Sequence, residues 1–88
     1  MTDAETVSAA LHDLPLGTFR TEVAGVDWIV TRTLFSRGAS EKLVARALDG
    51  SDYISFNLYR LDRGPLLKPC EMPRAKVVAF MADLVQRR

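Results

Sequence analysis

Glu41-Lys42-Leu43-Val44-Ala45-Arg46-Ala47-Leu48-Asp49-Gly50-Ser51-Asp52-Tyr53-Ile54-Ser55-Phe56-Asn57-Leu58-Tyr59-Arg60 is the stretch that decides how this chain folds. Its two halves alternate with a period of two on either side of Asp49-Gly50, a step favoured in tight hairpins. With Gly50-Ser51 as a two-residue loop, Leu43, Ala45 and Ala47 oppose Leu58, Phe56 and Ile54, which makes one face wholly apolar. On the other face Lys42, Val44, Arg46 and Leu48 oppose Tyr59, Asn57, Ser55 and Tyr53. Glu41 then opposes Arg60, a favourable opposite-charge pair. A slip by one residue would mix the two faces, so the pattern itself specifies a register.

Toward the N-terminus the same period continues. Phe19, Thr21 and Val23 alternate with Arg20 and Glu22, and Ala24-Gly25-Val26-Asp27 reads as a turn. Trp28 to Phe35 is rich in β-branched and aromatic residues, and Arg37-Gly38-Ala39-Ser40 breaks it. Which face of this strand meets the core is open. A two-residue Gly38-Ala39 loop puts Trp28, Val30, Arg32 and Leu34 inside, with Arg32 beside Ala45. A bulge or longer loop puts Trp28 and Arg32 outside. The several kcal/mol lost on burying an unpaired guanidinium argue for that arrangement or for Arg32 at an edge, while the greater apolar content of the even set argues for the first.

Helical patterns flank the strands. Thr2 and Glu5 have capping-box spacing, and Val7, Ala10, Leu11 and Leu14 form an i, i+3, i+4, i+7 stripe that ends at Pro15. At the other end Asp62-Arg63-Gly64-Pro65 turns the chain. Leu66-Leu67-Lys68-Pro69-Cys70 is short and extended, with prolines that forbid a central strand. Pro73 suits a first helical turn. Val77, Met81 and Leu84, with Val78, Phe80 and Val85, give the closing helix an apolar side, against Arg74, Lys76, Asp83, Gln86 and Arg87. Arg87 and Arg88 suit the negative end of its dipole. The expected fold is α+β: a single domain over residues 1–88, a four-stranded antiparallel meander with a helix from each end of the chain on one face, and Phe56 near the centre of the core.

Composition bounds the chemistry. The chain has 88 residues, 48% hydrophobic and 26% charged, with 12 Lys+Arg against 11 Asp+Glu, the balance of one small soluble domain. One Cys and one His exclude a disulfide framework and a Cys/His zinc site. The longest apolar run, Val77 to Ala82, is far short of the ~20 residues of a membrane span, and the acidic N-terminus is unlike a signal peptide. A cytoplasmic protein is expected, with no membrane partner. No phosphate-binding loop, dinucleotide fingerprint or metalloprotease motif occurs. His12 lies one residue from the helix stripe, Cys70 is read as a small packed side chain with Lys68 nearby, and Asp49 and Asp52 are read as turn residues. Neither catalysis nor a cofactor nor a metal site is expected.

Charge is unevenly spread. Residues 1–30 carry five acidic groups and one basic, whereas residues 31–88 carry eleven basic and six acidic. The candidate interaction face follows from the hairpin register: Lys42, Val44, Arg46, Leu48, Tyr53, Ser55, Asn57 and Tyr59 share the outer surface of the sheet. The expected function is a non-catalytic interaction module that uses this face for homodimerisation or for docking another protein. Basic groups among aromatics also suit single-stranded nucleic acid, whose phosphates take the cations while its bases stack on rings.

Between Glu41 and Leu84, the strand Tyr53-Ile54-Ser55-Phe56-Asn57-Leu58-Tyr59-Arg60 and the later Gly64-Pro65-Leu66-Leu67-Lys68-Pro69, followed by a helix, loosely resemble the single-stranded-DNA-binding fold of the positive transcription cofactor family. That family's basic, glycine-containing strand before the helix is replaced here by Cys70-Glu71-Met72-Pro73.

Overall fold

The computed structural model describes residues 1–86, Gln86 by its backbone only, so the expectations for the Gln86 side chain and for Arg87 and Arg88 fall outside the described residues. Helix α1 (Asp3–His12) starts on the expected capping box: the Thr2 hydroxyl accepts from the Glu5 amide at 3.1 Å, and the Thr2 amide donates to the Glu5 carboxylate at 2.9 Å. Those bonds to Thr2 hold the Glu5 carboxyl below its ordinary pKa. Strands β1 (Gly17–Val23), β2 (Val26–Phe35), β3 (Ser40–Ala47), β4 (Tyr53–Leu61) and β5 (Gly64–Pro69) follow, and α2 (Arg74–Gln86) closes the chain. The strands form one antiparallel meander in the order β1-β2-β3-β4-β5.

The sheet therefore has five strands where four were expected. The extra one is β5, whose two prolines sit on an edge, the place in a sheet that tolerates them. Cys70 N–H donates to Ser55 O at 2.9 Å, so the even residues of β5 bond to β4 and the odd ones direct their backbone groups outward. Pro65 and Pro69 both occupy odd positions, where no donor is needed.

The β3–β4 hairpin keeps the expected faces but its register slides by two, so each β3 residue meets a β4 partner two positions nearer the turn. Leu43 opposes Phe56, Ala45 opposes Ile54 and Glu41 opposes Leu58. The connection is Leu48–Ser51, between Ala47 and Asp52, whose main chains bond at 3.0 Å. Asp49 accepts from Ser51 N–H at 2.8 Å and Asp52 from Tyr53 N–H at 2.8 Å, the turn role read for both. A shift of two preserves parity, so every side chain stays on its expected side.

The open question about β2 closes in favour of its even residues facing inward. The link to β3 is Ser36–Ala39, longer by two residues than a Gly38-Ala39 loop, so parity is again unchanged. Trp28 is buried and packs on Phe80 with centroids 4.7 Å apart. Arg32 is buried opposite Leu43, and its guanidinium is paired, which removes the cost that argued for the other arrangement. Both helices cover this face. Residues of α1 lie near β5 and α2, while α2 lies near β1, β4 and β5. Val7, Leu11, Val30, Leu43, Phe56, Leu58, Val77 and Leu84 are fully buried between the layers.

Candidate functional site

Burying one sheet face under two helices leaves the other with no cover among the described residues. The strand registers arrange it as rows across the sheet. Arg20, Ile29, Arg46 and Tyr53 make one row. Thr18, Thr31, Val44 and Ser55 make the next, with a 3.0 Å hydrogen bond between the two threonine hydroxyls. Thr33, Lys42, Asn57 and Lys68 make a third, and Phe35, Ser40, Tyr59 and Leu66 the last.

Seven of the eight expected residues lie on strands of this face, namely Lys42, Val44, Arg46, Tyr53, Ser55, Asn57 and Tyr59. Lys42, Val44, Ser55 and Asn57 are half-buried near its middle, and Arg46, Tyr53 and Tyr59 are exposed. Leu48 departs from expectation. It lies in the turn beyond β3, exposed, and its N–H donates to Asp27 O at 2.8 Å, while Arg46 takes the place opposite Tyr53. The four-residue connection is the cause, since it ends the ladder before Leu48 can meet β4.

The sequence reading missed Ile29, Phe35, Leu66 and Lys68 on this face. Ile29 and Phe35 were hidden by the undecided orientation of β2, and Leu66 and Lys68 by the reading of β5 as a non-strand. The signal for β5 was present in the spacing of Pro65 and Pro69, which leaves every second amide free for pairing.

Three cations of the face, Lys42, Arg46 and Lys68, form no ion pair with another described residue, whereas Arg20 pairs with Asp27 at 3.0 Å on the exposed surface. Acidic groups are confined to the corner where Glu22 opposes Asp27. Cys70 is half-buried beside this face, and the Asn57 amide donates to its sulfur at 3.8 Å. His12 is exposed on α1, and no group of three metal-ligating side chains occurs among the described residues. No described helix is long and apolar enough to cross a membrane.

A second polar cluster lies inside the core. Glu41, 1% exposed, accepts from Arg32 Nε at 2.7 Å and meets Arg60 Nη1 at 2.5 Å. The second contact is an ion pair without hydrogen-bond alignment, which leaves Glu41 Oε2 without a hydrogen-bond donor. Arg32 Nη1 also donates to Leu14 O at 2.7 Å, just past α1. Two guanidiniums and one carboxylate thus tie β2, β3, β4 and the exit of α1 together. Arg32 and Glu41 are buried and Arg60 is half-buried, so the set braces the fold from inside.

No protein-family model, no curated protein and no solved structure matches this chain.

Proposed function

We propose that the chain is a non-catalytic docking module whose outer sheet face binds an acidic protein segment. The observation that carries this reading is the set Lys42, Arg46 and Lys68, three cations without ion-pair partners among the described residues, set around Ile29 and Val44 on an uncovered sheet. An apolar centre ringed by Arg and Tyr is the composition of a protein contact surface. Stacking this face on a second copy of itself sets like charges against one another, so a complementary, acidic partner fits better.

The spacing of the aromatics argues in the same direction. Tyr53 and Tyr59 stand six residues apart on β4, about 20 Å at the rise of a strand. Ser55 and Asn57 lie between them, so adjacent bases meet no pair of neighbouring rings.

The test is a titration of the protein with a labelled Glu/Asp-rich peptide and, separately, with oligothymidylate. The expected result is peptide binding that weakens as salt rises, because exposed charges beyond a Debye length of about 10 Å at 0.1 M are screened. Lys42→Glu with Arg46→Glu removes it. Absence of peptide binding at low salt overturns the reading. Oligonucleotide binding that Tyr53→Ala and Tyr59→Ala abolish assigns the face to single-stranded nucleic acid instead.

A further inference from the structure

The two edges of the sheet are chemically unequal. On β5 the outward backbone positions are Pro65, Leu67 and Pro69, so a single N–H remains to pair with anything beyond. On β1 the alternation can be traced from the other side of the sheet. Leu48 N–H bonds to Asp27 O, so the odd residues of β2 bond to β3 and its even residues bond to β1. The odd residues of β1 therefore face β2. Thr18, Arg20 and Glu22 point their N–H and C=O groups away from the sheet. All three are exposed and no proline interrupts them, and the charges of Arg20 and Glu22 restrict pairing to a strand of complementary charge.

The side chains along this edge select what can pair with it. Glu22 stands directly opposite Asp27, an unfavourable like-charge pair beside Arg20, whose guanidinium pairs with Asp27. Two copies of β1 can meet antiparallel with their outward groups in hydrogen-bonded pairs in few ways. Centred on Arg20, the dimer opposes Arg20 to itself. Centred on Thr21, it opposes Arg20 of each copy to Glu22 of the other, forms about four main-chain hydrogen bonds, and brings a second cation to each Glu22–Asp27 corner. The Arg20 guanidinium holds Asp27 through Nη2 and keeps further N–H groups for a second carboxylate.

We infer that the chain forms a two-fold dimer by antiparallel pairing of β1 with β1 of a second copy, in the register that crosses Arg20 with Glu22. The sheet becomes continuous over ten strands, and both outer faces lie on the same side. This inference rests on the edge and not on the proposed ligand of the face.

Sedimentation velocity over a range of protein concentrations tests it. The wild type forms a dimer. Arg20→Glu and Glu22→Arg each weaken association about tenfold, since two cross-strand attractions become repulsions. The double variant carrying both exchanges restores the pairs and returns the affinity to the wild-type range. Arg20→Pro removes an outward N–H that the single chain does not use, so it leaves the circular dichroism of the fold intact and abolishes the dimer. A wild type that stays monomeric overturns the inference, as does a dimer that Arg20→Pro leaves intact, or single-variant losses that the double exchange fails to recover. Peptide binding by a monomeric Arg20→Pro variant separates this result from that of the docking face, because Lys42, Arg46 and Lys68 are untouched.

Discussion

Glu41 has no access to water and faces two arginines, so its charge is held by its neighbours alone. Ionised groups taken out of solvent stabilise a fold only while their partners remain. Glu41→Gln leaves Arg32 and Arg60 as two buried or half-buried cations without a counter-charge. The expected loss is about 3–5 kcal/mol on urea unfolding, the range for breaking a buried ion pair. Replacing all three together, as Arg32→Met, Glu41→Leu and Arg60→Met, removes the charges and the desolvation they suffer, and the same measurement should find the triple variant more stable than Glu41→Gln. Sequence reading saw Glu41 and Arg60 as a cross-strand pair and saw the cost of burying Arg32. It did not join the two, because Arg32 meets Glu41 only when β2 and β3 are in register, and Arg60 reaches the same carboxylate only when β4 is in register as well.

Among the elements, both helices, the period-two strands and the faces of β3 and β4 were legible, because each rests on a local repeat of side-chain character. Turn lengths were not. Asp49-Gly50 marks the β3–β4 connection, but the bonds of Asp49 to Ser51 and Asp52 to Tyr53 settle it as four residues. Lys76, whose ammonium bonds Asp52 at 2.7 Å, arrives from α2 and is invisible to a hairpin argument. That bond, with the Tyr53 amide, holds the Asp52 carboxyl below its ordinary pKa. The β1–β2 turn carries a different strain. Val23 pairs with Val26, so Ala24 and Gly25 form a two-residue loop, and both have positive φ, 51° and 82°. Such a loop matches the twist of the strands, and glycine adopts this backbone freely while alanine does not. Ala24→Asn should therefore raise stability by about 1 kcal/mol, since asparagine tolerates the left-handed region that costs alanine roughly that amount. A rise in the urea midpoint at unchanged slope is the expected reading.

For the whole molecule, the five strands and two helices make a sheet protected unequally from water, and amide exchange reports this directly. The amides of Val30, Leu43, Ala45 and Phe56 lie in the three inner strands, bonded on the ladder and covered by the helices, so they open only when the whole domain unfolds. Leu67 also directs its N–H outward between two prolines, but the residue is 1% exposed, so this amide is covered and should exchange slowly. Thr18, Arg20 and Glu22 have the same outward geometry on β1, yet the two edges should behave differently as concentration changes. In dilute protein the three β1 amides exchange readily. Pairing of β1 with a second copy then protects Arg20 and Glu22 in proportion to the dimer formed, by mass action, and leaves the rate at Leu67 unchanged. Peptide on the outer face changes neither edge in this way, since it meets side chains and not the outward backbone. Mass-spectrometric exchange at micromolar and near-millimolar protein should thus show protection gained at Arg20 and Glu22 only. Equal gains at β1 and β5, or no gain at either, would mean that the free donors of β1 are not what joins two copies.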